Sequence, residues 1–144
     1  MPTKAAHVAA ANQHQRTIDY LRARMDEHLG WVVTVGFYKA LHMVEALFAA
    51  DPKGSVRHTN THEARNRTLR KTPRYAHIWK HYRLLYSLSL IARYLREDDS
   101  SPVVEIFSAH MPAAQVESRV LGYYLHEIEA SIGRLLNEPE FLEK

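Results

Sequence analysis

The sequence predicts an all-α domain, a compact up-and-down bundle of four to five helices. Three observations carry that expectation. Apolar residues recur at spacings of three and four rather than alternating, the glycines and prolines fall at a few points between these periodic stretches, and no strand-like run appears. With 144 residues, 46% hydrophobic and 24% charged, the chain is long and apolar enough for one core, so residues 1–144 read as a single domain without repeats.

The first helix is expected over about residues 5–28, with Ile18, Leu21, Met25 and Leu29 as its apolar stripe and Gly30 as its stop. A second helix, about 31–50, carries Phe37, Leu41, Val44 and Phe48 on its core face, widened by Trp31, Tyr38 and Leu47; Asp51-Pro52-Lys53-Gly54 ends it. Asn60, followed three residues later by Glu63, reads as the N-cap and capping-box partner of a short third helix over about 61–71. Pro73 breaks that helix. A fourth, about 75–96, places Ile78, Tyr82, Leu85, Leu88, Ile91, Ala92 and Leu95 on a wide apolar face. After the acidic linker 97–102 and a single turn expected over 103–107, a last helix beyond Pro112 aligns Val116, Val120, Tyr124, Ile128, Ile132 and Leu135.

Composition removes several classes. With no cysteine there is no disulfide framework, thiolate metal site or thiol nucleophile. The first residues lead from Met1 and Lys4 into polar Asn12 to Arg16, which is no export signal, and Lys39, His42 and Glu45 interrupt the most apolar run. The expectation is a cytoplasmic chain with no membrane partner. A Ser-His-Asp arrangement and a glycine-rich phosphate loop are both missing, so hydrolase and NTPase readings have no support.

The net charge of +3 is unevenly placed. Residues 53–83 hold nine basic residues against Glu63 alone, a net +8, while the remainder has ten basic and fifteen acidic, a net −5. Arg65, Arg67, Arg70, Lys71 and Arg74 are the candidate contacts to the phosphates of RNA or a nucleotide. His58, His62, His77 and His81 lie in the same stretch. A solvated basic face is the alternative reading.

Within it, Arg57-His58-Thr59-Asn60-Thr61-His62 sets an arginine five residues before a histidine. Histidine exchanges a proton near neutral pH, and arginine offers a fixed positive fork to a phosphorane-like transition state. His62 could assist attack of a ribose 2′-hydroxyl or protonate the leaving oxygen while Arg57 holds the phosphate, with His58 or Asn60 in support. The pattern also arises by chance, and Thr61 and His62 sit where a helix start needs polar residues.

The pairs His58/His62 and His77/His81 have metal-ligand spacing, but nine basic side chains nearby oppose a cation, so no metal and no cofactor are expected. His42, one turn before Glu45 and within its reach, reads as a half-buried histidine that could support the site from behind. Tyr75, Trp79, Tyr82 and Tyr86 could stack on bases, though packing in a core or dimer is the commoner use.

Three segments resemble the HEPN superfamily, small all-α domains named for nucleotide binding in higher eukaryotes and prokaryotes. Phe37 to Phe48 looks like its second helix, an aromatic pair followed by histidine and then small and apolar residues; Thr61-His62 resembles the threonine-histidine after the next loop; and His81 to Ser87 through Ala92-Arg93-Tyr94 is similar to its later helix. Together the likeness spans about residues 15–137. It implies a homodimer and, in many members, a metal-independent ribonuclease whose arginine, polar residue and following histidine have the form of Arg57 to His62. Other members are non-catalytic and bind a nucleotidyltransferase as a toxin–antitoxin pair. The reading is therefore an RNA- or nucleotide-binding domain with cleavage by Arg57 and His62 as a second layer; the alternative is a helical interaction module.

Overall fold

The computed structural model describes residues 1–103 and 106–144, and those residues form helices and connections with no strand. The elements are α1 (Lys4–Arg22), α2 (Leu29–Ala50), α3 (His62–Lys71), α4 (Ala76–Tyr94), α5 (Phe107–His110), α6 (Ala113–Gln115) and α7 (Leu125–Leu136), with a π-helical stretch, Val116–Tyr124, joining the last two. The all-α bundle is as expected. Helix α2 packs against α1, α4 and α7, which makes it the centre of the bundle, and α3 leans on α4.

That central position explains the composition of α2. It is the one described helix long and apolar enough to cross a membrane, and 78% of its most apolar window is buried inside the bundle. Phe37, Val44, Leu47 and Phe48 are fully enclosed, each worth about 1.5–3 kcal/mol by removal from water. Trp31 departs from the expected face, being 64% exposed at the first turn.

Several boundaries differ from the sequence reading. Helix α1 ends at Arg22, six residues early, and a 3-10 turn over Met25–Glu27 follows; α2 then starts at Leu29, so Gly30 lies within its first turn rather than stopping α1. Thr3 caps α1 by accepting from Ala6 N. The cap of α3 is Thr61, whose hydroxyl accepts from Ala64 N at 3.0 Å, while Asn60 turns its amide oxygen to His58 Nε2 at 2.8 Å. Glu63 still favours the positive N-terminus of α3, but it is not a capping-box partner of Asn60. Helix α4 stops at Tyr94 because Leu95 adopts the left-handed conformation, φ 59°, which a helix cannot continue through. The turn expected over 103–107 lies partly outside the described residues, and Phe107–His110 forms a short helix instead.

The expected last helix is present, with a modified core. Its stripe is spaced almost entirely by fours, which in an α-helix overshoots each turn by roughly 40° and would spiral away from the core. A π turn holds roughly 4.4 residues and undershoots by a similar amount. The π stretch followed by α7 therefore cancels the drift and keeps Val116, Val120, Ile128 and Ile132 buried in one line.

The junction after α2 rests on Asp51, which is fully buried. Its carboxylate accepts from Arg74 Nε (3.0 Å) and Nη2 (2.8 Å), from Tyr75 OH (2.6 Å) and from Lys53 N (3.0 Å). Gly54 sits so close that a Cβ there would lie 2.8 Å from Tyr75 OH, so no side chain fits without displacing the phenol. Arg57 Nη1 donates to Asp51 O at 2.6 Å and to Phe48 O at 3.4 Å, which satisfies carbonyls left open at the end of α2.

Candidate functional site: a histidine and arginine cluster between α1, α2 and α3

The polar centre of the molecule forms where the first half of α1, the middle of α2 and the 57–65 segment meet. On α1, His7, Ala11, His14 and Ile18 follow a four-three-four spacing, and all but half-buried His14 are buried. His7 and His14 flank His42 of α2, with ring centroids 5.3 Å and 5.5 Å away. His7 Nδ1 and His42 Nδ1 share a hydrogen bond of 3.0 Å, so one ring donates and the other accepts. Burial first, then the neighbouring His7 and His14, push His42 down to about 4, and burial likewise lowers His7 and His14. At neutral pH His42 is an uncharged ring.

Glu45, one turn further along α2, is 1% exposed and organises the loop before α3. It does not partner His42. Its Oε1 accepts from Thr59 N at 3.1 Å, from the Thr59 hydroxyl and from Arg65 Nε at 3.3 Å. A buried carboxylate is costly unless matched in this way. Thr59 is buried by the same contact, which pins the loop to the bundle.

Arg65 in turn donates from Nη1 to His62 Nδ1 at 3.3 Å. That bond places the lone pair of His62 on Nδ1 and the proton of the neutral ring on Nε2. His62 packs between Phe37 (5.7 Å) and Tyr86 (5.5 Å), and its pKa is lowered by burial and then by the charges of Arg65 and Arg93. Arg93 lies over Phe37 at 5.7 Å and Tyr38 at 5.8 Å, which holds its guanidinium against the aromatic wall.

The expected site residues thus divide into groups. His58, Asn60, His62, Arg65 and His42 belong to one connected region. Arg57 is engaged at the end of α2, and no hydrogen bond among the described residues links it to His62. Arg65, expected to face phosphate, is 5% exposed and faces Glu45; Arg74 is committed to Asp51. Arg67, Arg70 and Lys71 are exposed on α3, and Lys80 and Arg83 are exposed on α4. Tyr75 and Tyr82 are core residues, and Trp79 and Tyr86 are partly buried against the core. Of the expected histidine pairs, His77 pairs with Glu127 at 2.9 Å and His81 Nδ1 with the carbonyl of His77.

His7 and His14 went unread in the sequence. The signal was available: extending the Ile18 stripe upstream by its own spacing lands on His14, Ala11 and His7. No protein-family model, curated protein or solved structure matches this chain, so the site rests on its own geometry.

Proposed function

We propose that the protein is a HEPN-like domain that binds RNA or a nucleotide through the exposed basic face of α3 and α4. The observation that carries this reading is the charge left uncompensated there. Among the described residues Arg70, Lys71, Lys80 and Arg83 have no carboxylate within ion-pair distance, and Arg67 has only the exposed Glu63 at 3.8 Å, which at such a site contributes little. A cationic face of this kind takes a polyphosphate backbone with release of counterions.

The direct test is binding of a labelled single-stranded RNA across a salt series. With about four phosphate contacts, log affinity should fall with log salt at a slope of roughly −3, and the double substitution Arg70→Glu/Lys71→Glu should abolish binding. Absence of binding at low salt, or a complex indifferent to salt, would overturn the reading.

Cleavage by His62 is the second layer of this proposal. A histidine lowered in pKa is neutral at pH 7 and suits the general base for the 2′-hydroxyl rather than the acid. Cleavage in EDTA by the parent, with 2′,3′-cyclic phosphate ends and loss in His62→Ala, would support it. Arg57 has less support as a phosphate clamp, since its Nη1 serves two backbone carbonyls.

A second reading, the helical interaction module, has its own observation. Trp31 (64% exposed) borders a pocket of about 330 Å³ also lined by His28, Thr34, Ala92 and Arg93, and Tyr94 (63% exposed) follows Arg93. A homodimer or a nucleotidyltransferase partner would cover such a surface. Concentration-dependent association in sedimentation, abolished by Trp31→Glu, tests it.

A further inference from the structure

We propose that His7, Glu45 and His58 form a binding site for one transition-metal dication, zinc by the chemistry of its ligands. The three residues come from α1, α2 and the loop before α3, and one ligand atom from each lies within 4.8 Å of the others. Two imidazoles and one carboxylate are a common three-residue set for zinc, with a fourth position left for solvent or a phosphate oxygen. This inference is independent of RNA binding.

Four observations converge on particular atoms. His7 Nε2 and His58 Nδ1 are both buried and have no hydrogen-bond partner among the described residues, a costly state for a ring nitrogen. His58 Nε2 faces Asn60 Oδ1 at 2.8 Å, and an amide oxygen only accepts, so the proton of the neutral ring is held on Nε2 and the lone pair on Nδ1. His7 Nδ1 is engaged by His42 Nδ1 at 3.0 Å, which leaves Nε2 as the free ring atom of His7; in the tautomer in which His7 donates to His42, its lone pair falls on Nε2. Glu45 gives Oε1 to Arg65 and the Thr59 hydroxyl; its Oε2 accepts only the longer branch of the bond from Thr59 N, at 3.3 Å, and lies 3.7 Å from His58 Nδ1.

Each ligand therefore has an outer partner that fixes its orientation and presents its lone pair inward: His42 for His7, Asn60 for His58, Thr59 and Arg65 for Glu45. In a tetrahedral shell with bonds near 2.1 Å, ligand atoms lie roughly 3.4 Å apart, so the 3.7 Å separation of Glu45 and His58 is close to a bound geometry. The basic residues that argued against a cation in the sequence mostly point elsewhere. Arg67, Arg70 and Lys71 are exposed on α3, Arg57 and Arg74 are bound at the Asp51 junction, and Arg65 meets Glu45 on the oxygen not assigned to the metal. His58, whose side chain is 21% exposed, gives the ion an entry path.

The test uses the untagged 144-residue chain, stripped with chelator, dialysed and titrated with ZnCl2 by calorimetry. One equivalent should bind, and His58→Ala and His7→Leu should each weaken binding by roughly 100-fold or more. The exposed His126→Ala should bind like the parent. Failure of the folded parent to bind one equivalent would overturn the proposal, as would undiminished binding by both variants. Should a variant unfold, the Co²⁺-loaded parent still decides: the intense visible bands of a tetrahedral mixed nitrogen and oxygen site support the assignment, and a weak octahedral spectrum refutes it.

Discussion

Glu45 of α2 and Arg65 of α3 bury their charges against each other, Arg65 Nε lying 3.3 Å from Glu45 Oε1, with side-chain exposures of 1% and 6%. This pair joins the centre of the bundle to the helix that carries the exposed basic face, and Thr59 and His62 are placed by one partner or the other. Breaking it should therefore loosen the loop and α3 together.

Removal of one partner leaves the other charge buried and unmatched. Glu45→Gln or Arg65→Met should each destabilise the fold by about 3–5 kcal/mol in urea unfolding. The double variant should cost less than the sum, with a coupling above about 1 kcal/mol. Additive losses would mean that the two charges act separately.

Asp51 gives the pH dependence a definite sign. Burial opposes its charge, but hydrogen bonds from Tyr75, Arg74 and Lys53 N outweigh it and hold the carboxyl below its usual range. Because the folded pKa is depressed, this stability is present above the unfolded value near pH 3.9 and is lost as pH falls through the folded one. Asp51→Asn should lower stability at pH 7 by about 2–4 kcal/mol and flatten the acid limb of a Tm-against-pH curve. A variant with the parent's acid limb would remove Asp51 as its source.

Arg57 separates a structural role from a phosphate contact. Arg57→Ala should lose about 1 kcal/mol of stability from the carbonyls it serves at the end of α2. Its RNA affinity at 25 °C should match the parent's within about twofold, whereas Arg70→Glu/Lys71→Glu should lose binding with no change in Tm beyond about 2 °C. A large affinity loss in Arg57→Ala would restore it to the phosphate-binding set.

Leu95 ends α4 with a left-handed backbone, which costs a side chain with a Cβ roughly 1 kcal/mol. Leu95→Gly should raise stability by up to about 1 kcal/mol, measured as a higher urea midpoint at unchanged slope. A lower midpoint would show that the partly buried leucine contributes more by packing than its backbone costs.

The bundle was legible because burial is written in periodicity: the stripes Phe37–Val44–Phe48 and Ile78–Tyr82–Leu85 needed no knowledge of partners. Boundaries were less so. Thr61 and Asn60 are both good caps by type, and only the competing bond from Asn60 to His58 decides between them. The basic stretch was found as a charge count, but direction is a property of the fold. Arg65 and Arg67 are two residues apart and nearly opposite on α3, so one meets Glu45 and the other solvent. The His7–Glu45–His58 group was out of reach for a different reason. Its members are separated by 38 and 13 positions, and no local spacing rule brings them together.

The π-helical stretch before α7 also has a bearing on how the chain can change length. A π segment holds more residues than an α-helix of the same rise, so Val116–Tyr124 is slack stored inside a rigid rod. Deleting exposed Arg119 would reset Val116 and Val120 to a spacing of three, which an ordinary α-helix buries equally well. The rod can give up a residue there by tightening locally, with the register of Ile128 and Ile132 against α2 left intact, whereas the same deletion inside α2 would turn every residue beyond it away from the core.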